Sequence, residues 1–183
     1  MRIGCRGAAT PLVWSRRLPV PTADFLAGMR RLAGGVTIVT ARLGDLRAGM
    51  TATSVCSLTA EPPQLLVCVH RDADAYGLIL ESGYFAVNVL TREQQDLADH
   101  FGGRDRSHGP TRFSAGHWVD GATGVPVLVD AGATFECRLI ETLAASTHSI
   151  FIGEVEAVGV TADALGLVYH DRTYHRLGGL QQD

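Results

Sequence analysis

The chain has no lysine: all sixteen of its basic residues are arginine. Mechanisms that need a side-chain amine, such as a Schiff base or the phosphate-cradling lysine of a P-loop, are therefore excluded. Cysteine is scarce as well. Cys5, Cys56, Cys68 and Cys137 form no Cys-x-x-Cys pair, so zinc and dithiol chemistry lack sequence support. Cys56, Cys68 and Cys137 fall inside apolar strand patterns, where buried reduced thiols are expected, and this fits a cytoplasmic location. No apolar run reaches the roughly 18 residues of a membrane span. Neither sign of charge dominates: the net charge is −3 with both signs interspersed, so neither a nucleic-acid surface nor a membrane surface is expected. No Ser/His/Asp, His-Glu-x-x-His or paired-carboxylate signature occurs, and no Gly-x-Gly-x-x-Gly follows a strand, which leaves a Rossmann site unsupported.

What is present is apolar and rich in β-branched residues. With 183 residues and 46% hydrophobic content, the chain suits a single domain burying roughly two thirds of its unfolded surface. Residues 1–21 carry Arg2, Arg6, Arg16 and Arg17 without an acid and without the apolar core of a secretory signal, and are expected to form a flexible or dimer-clasping arm ahead of a domain over 22–183. Helical spacing of Phe25, Leu26, Met29, Leu32 and Ala33 predicts an amphipathic helix over 24–33, capped by Thr22 and ended by Gly34-Gly35. Strands are predicted over 36–41 and 48–55 about a turn at Leu43-Gly44-Asp45. After Glu61-Pro62-Pro63, a buried strand over 64–70 follows.

A helical turn over 75–81 leads through Gly83 to a strand over 84–90, and a helix is predicted over 92–100. The Gly-, Arg-, Asp- and Ser-rich stretch 102–124 is expected to be a long surface loop. Residues 133–143 alternate, Phe135, Cys137 and Leu139 against Thr134, Glu136 and Arg138, and 148–160 forms a further long strand. Five or six strands with two or three short helices and no repeat point to a closed or partly closed antiparallel barrel, since closure removes exposed edges.

One strand differs from the rest. From Gly49 to Thr59 the residues are mostly small or hydroxyl-bearing, which lets another molecule approach the backbone and use its amides. On composition alone, an edge strand with its threonines and serines in water is the simpler explanation.

Taken in order, several segments decide between these. Gly34-Gly35-Val36-Thr37-Ile38-Val39-Thr40 precedes the Thr51–Pro63 segment and Leu66-Val67-Cys68-Val69; Phe85-Ala86-Val87-Asn88-Val89-Leu90 follows, with Gln94 and Phe101 after it. Gly124-Val125-Pro126-Val127-Leu128, the run His148 to Val155, Leu167-Val168-Tyr169 and Tyr174-His175-Arg176-Leu177 complete the series. In this order the chain, from Phe25 to about Leu177, resembles the short-chain flavin reductases, the reductase components of two-component flavin-dependent monooxygenases.

The resemblance implies an FMN-binding split β-barrel of antiparallel Greek-key type. It also implies a homodimer, FMN or FAD as bound flavin, NADH or NADPH as hydride donor, and a flavin-dependent monooxygenase that receives the reduced flavin. It places the isoalloxazine along Thr51, Ala52, Thr53, Ser54 and Ser57, with Cys68 and Val69 close by, Phe101 near the flavin tail and His148 against the nicotinamide. Two departures stand out. Thr147 occupies a position where the family usually has aspartate before the histidine, and Arg71-Asp72-Ala73-Asp74-Ala75 replaces the hydroxyl residues that commonly hold the flavin phosphate. Arg71 is the basic residue left there, with Arg104, Arg106 and Arg112 of the long loop as further phosphate candidates. A non-catalytic flavin carrier and a pyridoxamine-phosphate-oxidase-like flavin oxidase are the competing functions.

Overall fold

The computed structural model describes residues 19–103 and 109–178, so nearly all of the expected N-terminal arm lies outside the described residues. In chain order the elements are α1 (Thr22–Met29), β1 (Gly34–Gly35), β2 (Thr37–Leu43), β3 (Leu46–Ala52), β4 (Val55–Ala60), β5 (Pro63–His70), α2 (Asp74–Ser82), β6 (Tyr84–Val89) and α3 (Gln95–Phe101). A 3₁₀ turn (Gly109–Ser114) follows, then β7 (Trp118–Asp120), β8 (Pro126–Leu128), β9 (Ala133–Ala145), β10 (His148–Val160), β11 (Leu167–His170) and β12 (Thr173–Arg176). Seven strands form the main sheet in the order β3-β2-β6-β9-β10-β5-β4, every neighbouring pair antiparallel. Smaller sheets join β1-β11-β12 and β7-β8.

The strand predicted over 48–55 is in fact two. β3 ends where its ladder with β2 ends, at Thr37↔Ala52, and β4 begins a new ladder with β5 at Val55↔Val67. One backbone cannot keep register with both partners, and the chain turns at Thr53 and Ser54. β3 and β4 are the two outer strands of the sheet, yet three peptide steps separate Ala52 from Val55, a reach of about 11 Å at most. The sheet must therefore roll until its edges meet, giving a barrel left split between β3 and β4, as the fold class predicts.

Inside the roll Val39, Val67, Val69, Phe85, Val87, Cys137 and Phe151 pack together, and α2 plugs one end with Ala75 and Ile79. Outside it, Val36, Ile38, Leu90 and Leu128 are covered by Leu97, Ala98 and Phe101 of α3 and by Phe113. β2 thus runs between two cores, which is why Thr37 to Ala41 are all buried and apolar alternation vanishes there. Asn88 is the polar staple between them. Its Nδ2 donates to the Ile38 carbonyl at 3.0 Å, while its Oδ1 accepts the Leu128 N–H at 2.8 Å.

Other expectations are corrected. Thr22 is the first helical residue and makes no cap bond, because Pro21 holds the cap position; α1 stops at Met29 and buries none of its side chains. The helix predicted over 92–100 starts later, at Gln95, after the Gln94 side chain accepts the Thr91 N–H at 2.9 Å. β5 is half-buried by alternation rather than buried throughout. The stretch 102–124 is not all surface loop: Phe113 and Trp118 close on Phe101 with ring centroids 5.1–5.3 Å apart. Glu136, on the face opposite Phe135 and Cys137, is itself buried, and its carboxylate accepts the N–H groups of Ala122 and Thr123 at 3.0 and 2.7 Å. Among the described residues Cys56 is exposed, Cys68 half-buried and Cys137 alone a buried thiol, while Cys5 lies outside the described residues.

Asn88→Ala removes both staples and strands the Leu128 N–H in an apolar setting. The expected loss is about 2 kcal/mol of stability, which thermal unfolding reads as a fall of roughly 4–8 °C in Tm. An unchanged Tm would show that the two cores hold together without it.

Candidate functional site

Around the bend between β3 and β4 the neighbouring residues are tied to the rest of the fold, and the outer backbone edge of β3 is left without a ladder partner among the described residues. The Thr51 hydroxyl donates to the Ala98 carbonyl at 2.7 Å, tying β3 to α3, and the Ala52 carbonyl accepts from Thr37 Oγ1 at 2.8 Å. On the free edge of β3 the Gly49 carbonyl accepts from Arg112 Nη1 at 2.8 Å. Strand alternation puts the Thr51 backbone groups along that same edge, and among the described residues no ladder strand lies beyond it. Ala52 turns its methyl into the core, while Thr53 and Ser54 are exposed. Gly34 lies directly beneath, since a Cβ there would sit 3.0 Å from Thr53 Cβ.

Thr53 borders two clefts. One, of about 520 Å³, lies between α1 and the β11–β12 turn and is lined by Leu26, Met29, Arg30, Ser54 and Arg172 among others. A smaller one, of about 140 Å³, is framed by Val36, Thr51, Ala52, Tyr169 and Tyr174. An outer strand edge beside the rings of Tyr169 and Tyr174 suits a planar heterocycle with acceptors along one side, which is what the pyrimidine edge of a flavin offers.

Ser54 leads to the second half of the site. Its carbonyl accepts the Cys68 N–H at 3.1 Å and its hydroxyl donates to the Cys68 carbonyl at 3.2 Å, extending the β4–β5 ladder by one pair. β5 then pairs with β10 in the register Cys68↔Ile150, Val69↔Ser149 and His70↔His148. Val69 and Ser149 are fully buried, so Cys68, His70, Ile150 and His148 share the opposite, outer face. Ser54 and His148 are thus two strand spacings and two residues apart, roughly 12 Å. Ser57 stands exposed in β4, next to a register shift between Ser57 and Thr59.

His148 is exposed, with Nδ1 2.9 Å from Thr147 Oγ1. The hydroxyl of Thr147 therefore meets the ring nitrogen although the family's usual aspartate is missing. His70 lies against it, the two rings edge to face with centroids 4.7 Å apart. Sequence reading passed over His70, because only the β5–β10 register makes it a neighbour of His148.

The remaining predicted residues fall into place less directly. Val69 can offer only backbone, since its side chain belongs to the core. Phe101 is 1% exposed, its ring enclosed by Phe113 and Trp118 and lying where a Cβ on Gly49 would come within 2.7 Å. It therefore supports the floor of β3 and presents no ring face to a ligand. Arg71 is exposed in the β5–α2 turn, its N–H donated to the Thr147 carbonyl at 3.0 Å. Beside it, Asp74 Oδ2 accepts the Gly109 N–H at 3.0 Å. Arg112 is committed to Gly49, and Arg104 and Arg106 lie outside the described residues. Burial, helped by the charges of Glu136 and Glu156, pushes the Cys137 thiol up to about 12, so it stays protonated and inert near neutral pH. Among the described residues no His/Cys/Asp/Glu group could hold a metal ion, and no helix is long and apolar enough to cross a membrane.

Comparison with known proteins agrees with this layout. The flavin reductase like domain matches residues 29–178. The FMN reductase (NADH) RutF of Variovorax paradoxus (strain S110) is 42% identical over 158 residues, which cover 86% of this chain and 87% of that protein. Among solved structures, BorF, the flavin reductase component of a bacterial two-component tryptophan halogenase, superimposes with a TM-score of 0.80 at 38% identity, covering 87% of this chain and 99% of its own. The Streptomyces globisporus C-1027 NADH:FAD oxidoreductase SgcE6, solved in complex with NAD and FAD fragments, gives a TM-score of 0.79 at 30% identity over 88% of this chain and 94% of its own. A split antiparallel barrel, a backbone-lined seam and a family match across most of the chain lead to one conclusion: this protein belongs to the flavin reductase-like domain family.

Proposed function

We propose that this chain is an NAD(P)H-dependent flavin reductase that takes hydride from NADH or NADPH onto FMN or FAD and supplies the reduced flavin to a flavin-dependent monooxygenase. The observation that carries this reading is the open backbone edge at Thr51–Ser54, joined through Cys68 to the outer face that bears His148. Relatives named FMN reductase (NADH) favour FMN and NADH. A bound flavin supplies the hydride acceptor. The Thr51 and Thr53 amides would lie along the ring's pyrimidine edge and favour the negative charge that reduction would place there. His148 orients the nicotinamide and moves no proton. Reduced cysteines and a nicotinamide cosubstrate both suit the cytoplasm.

The halogenase-linked relative supports release of reduced flavin to a partner enzyme. Release is favoured by a weak hold on the phosphate, and here Asp72 and Asp74 flank the approach with Arg71 as the exposed cation among them. Steady-state NADH oxidation with added FMN tests the reading: catalytic turnover with FMN as electron acceptor is expected. Flavin binding without turnover would identify a carrier. Turnover only with an amine or alcohol substrate and oxygen would identify an oxidase.

The position of the ring is tested at Ala52, whose methyl fills the core beneath the edge. Ala52→Trp overpacks that core and pushes the Thr51–Ser54 backbone out of place, and is expected to abolish measurable flavin binding, by fluorescence titration, in a protein that still unfolds cooperatively. Wild-type affinity in a folded variant would place the ring elsewhere.

The chain further works as a homodimer in this proposal. Phe25, Leu26, Met29 and Leu32 are all at least 45% exposed on and beside α1, a cluster that a second subunit would cover. Sedimentation at micromolar concentration should give twice the chain mass; a fully active monomer would refute the dimer.

A further inference from the structure

We infer that His70 is a positioning residue for His148, holding its ring in the plane that the nicotinamide needs; this rests on the proposal that His148 contacts the nicotinamide. His148 opens β10 on an exposed face, where a lone imidazole would turn freely about both side-chain torsions. Two contacts remove that freedom. Thr147 Oγ1 lies 2.9 Å from Nδ1 and fixes one end of the ring. His70, directly opposite in the β5–β10 register, packs against it edge to face at 81°.

His70 is itself held. Its Nδ1 accepts the Asp72 N–H at 3.1 Å, and the ring cannot rotate without losing that bond. The Asp72 carboxylate lies 3.8 Å from the same nitrogen. The backbone beneath is closed by the Arg71 N–H donated to the Thr147 carbonyl at 3.0 Å, which fastens the His70 corner to the residue that precedes His148. The chain from Asp72 through His70 to His148 is therefore continuous, and its far end is the exposed imidazole.

The test combines stopped-flow flavin reduction with spectroscopy of the flavin-free protein, using His70→Ala, His70→Phe, His148→Ala and the His70/His148 double alanine variant. His148→Ala is expected to slow reduction at saturating NADH about ten- to thirtyfold, and His70→Ala about three- to fivefold, with FMN affinity unchanged in both. His70→Phe keeps an aromatic ring in the edge-to-face position and should recover the rate to within about twofold of wild type. In the double variant, loss of His70 should add nothing to loss of His148, because it acts only through that ring.

Long-range ¹H–¹⁵N spectra of the histidine rings give an independent readout without flavin. His70→Ala should shift and broaden the His148 ring signals, and His70→Phe should sharpen them again. A wild-type rate and an unmoved His148 spectrum in His70→Ala, with His148→Ala slow, would overturn the inference while leaving the role of His148 intact. Additive losses in the double variant would overturn it too, by showing that His70 acts separately. If His148→Ala reduces flavin at the wild-type rate, the nicotinamide contact itself is wrong and the inference falls with it.

Discussion

Two residues, Thr53 and Ser54, must carry the chain from one outer strand of a seven-stranded sheet to the other. That short reach compels the sheet to roll, and the roll creates the enclosed core in which Phe85, Phe151 and the valines of β2, β5 and β6 meet. The same crossing leaves a seam. Where the ladder of β3 stops and that of β4 has not begun, the outer backbone edge has no strand partner among the described residues, and this is where we propose that the flavin lies. Closure and the proposed ligand site therefore share one constraint. A longer linker would relax the roll and blur the edge together.

Rigidity at the seam is supplied from outside the barrel. Thr51 is bound to α3, Gly49 to Arg112, and the ring of Phe101 fills the space that Gly49 leaves by lacking a Cβ. Phe113 and Trp118, from a stretch poor in apolar residues, hold that ring in turn. Asn88 ties this outer core to β2, and Glu136 ties the loop before β8 to β9. Buried polar groups with every partner present act here as locators, since moving either element would strand a hydrogen bond away from water.

The outer face of β5 and β10 shows how this arrangement reaches chemistry. Alternation sends Val69 and Ser149 inward, where Ser149 meets the Tyr76 hydroxyl at 3.1 Å, and sends Cys68, His70 and His148 outward. The inward residues anchor and the outward ones are presented. A split barrel can thus offer a reactive face on strands whose other side is closely packed, which suits a reaction where the bound molecules carry the electrons and the protein sets geometry.

Much of this was legible in the residues themselves. The β-branched runs of β2, β5, β6 and β10, the glycine at the end of α2 with its φ of 73°, and the hydroxyl-rich segment around Thr51 are local signals, because they reflect backbone preference and strand period. The ordered series of family segments added fold and chemistry to them. What local pattern could not reveal is where a continuous run of small residues changes partner. β3 and β4 look like one strand because the break between them is set by two different ladders, each formed with residues distant in the chain. Burial of Glu136, the core role of Phe113 and the meeting of His70 with His148 were equally invisible, for the same reason. Sequence by itself determined the mainly β class and the family, although it pointed to five or six strands where the structure has twelve among the described residues; tertiary structure alone decided which edges meet and which side chains face one another, because register and closure depend on contacts between residues far apart in the chain.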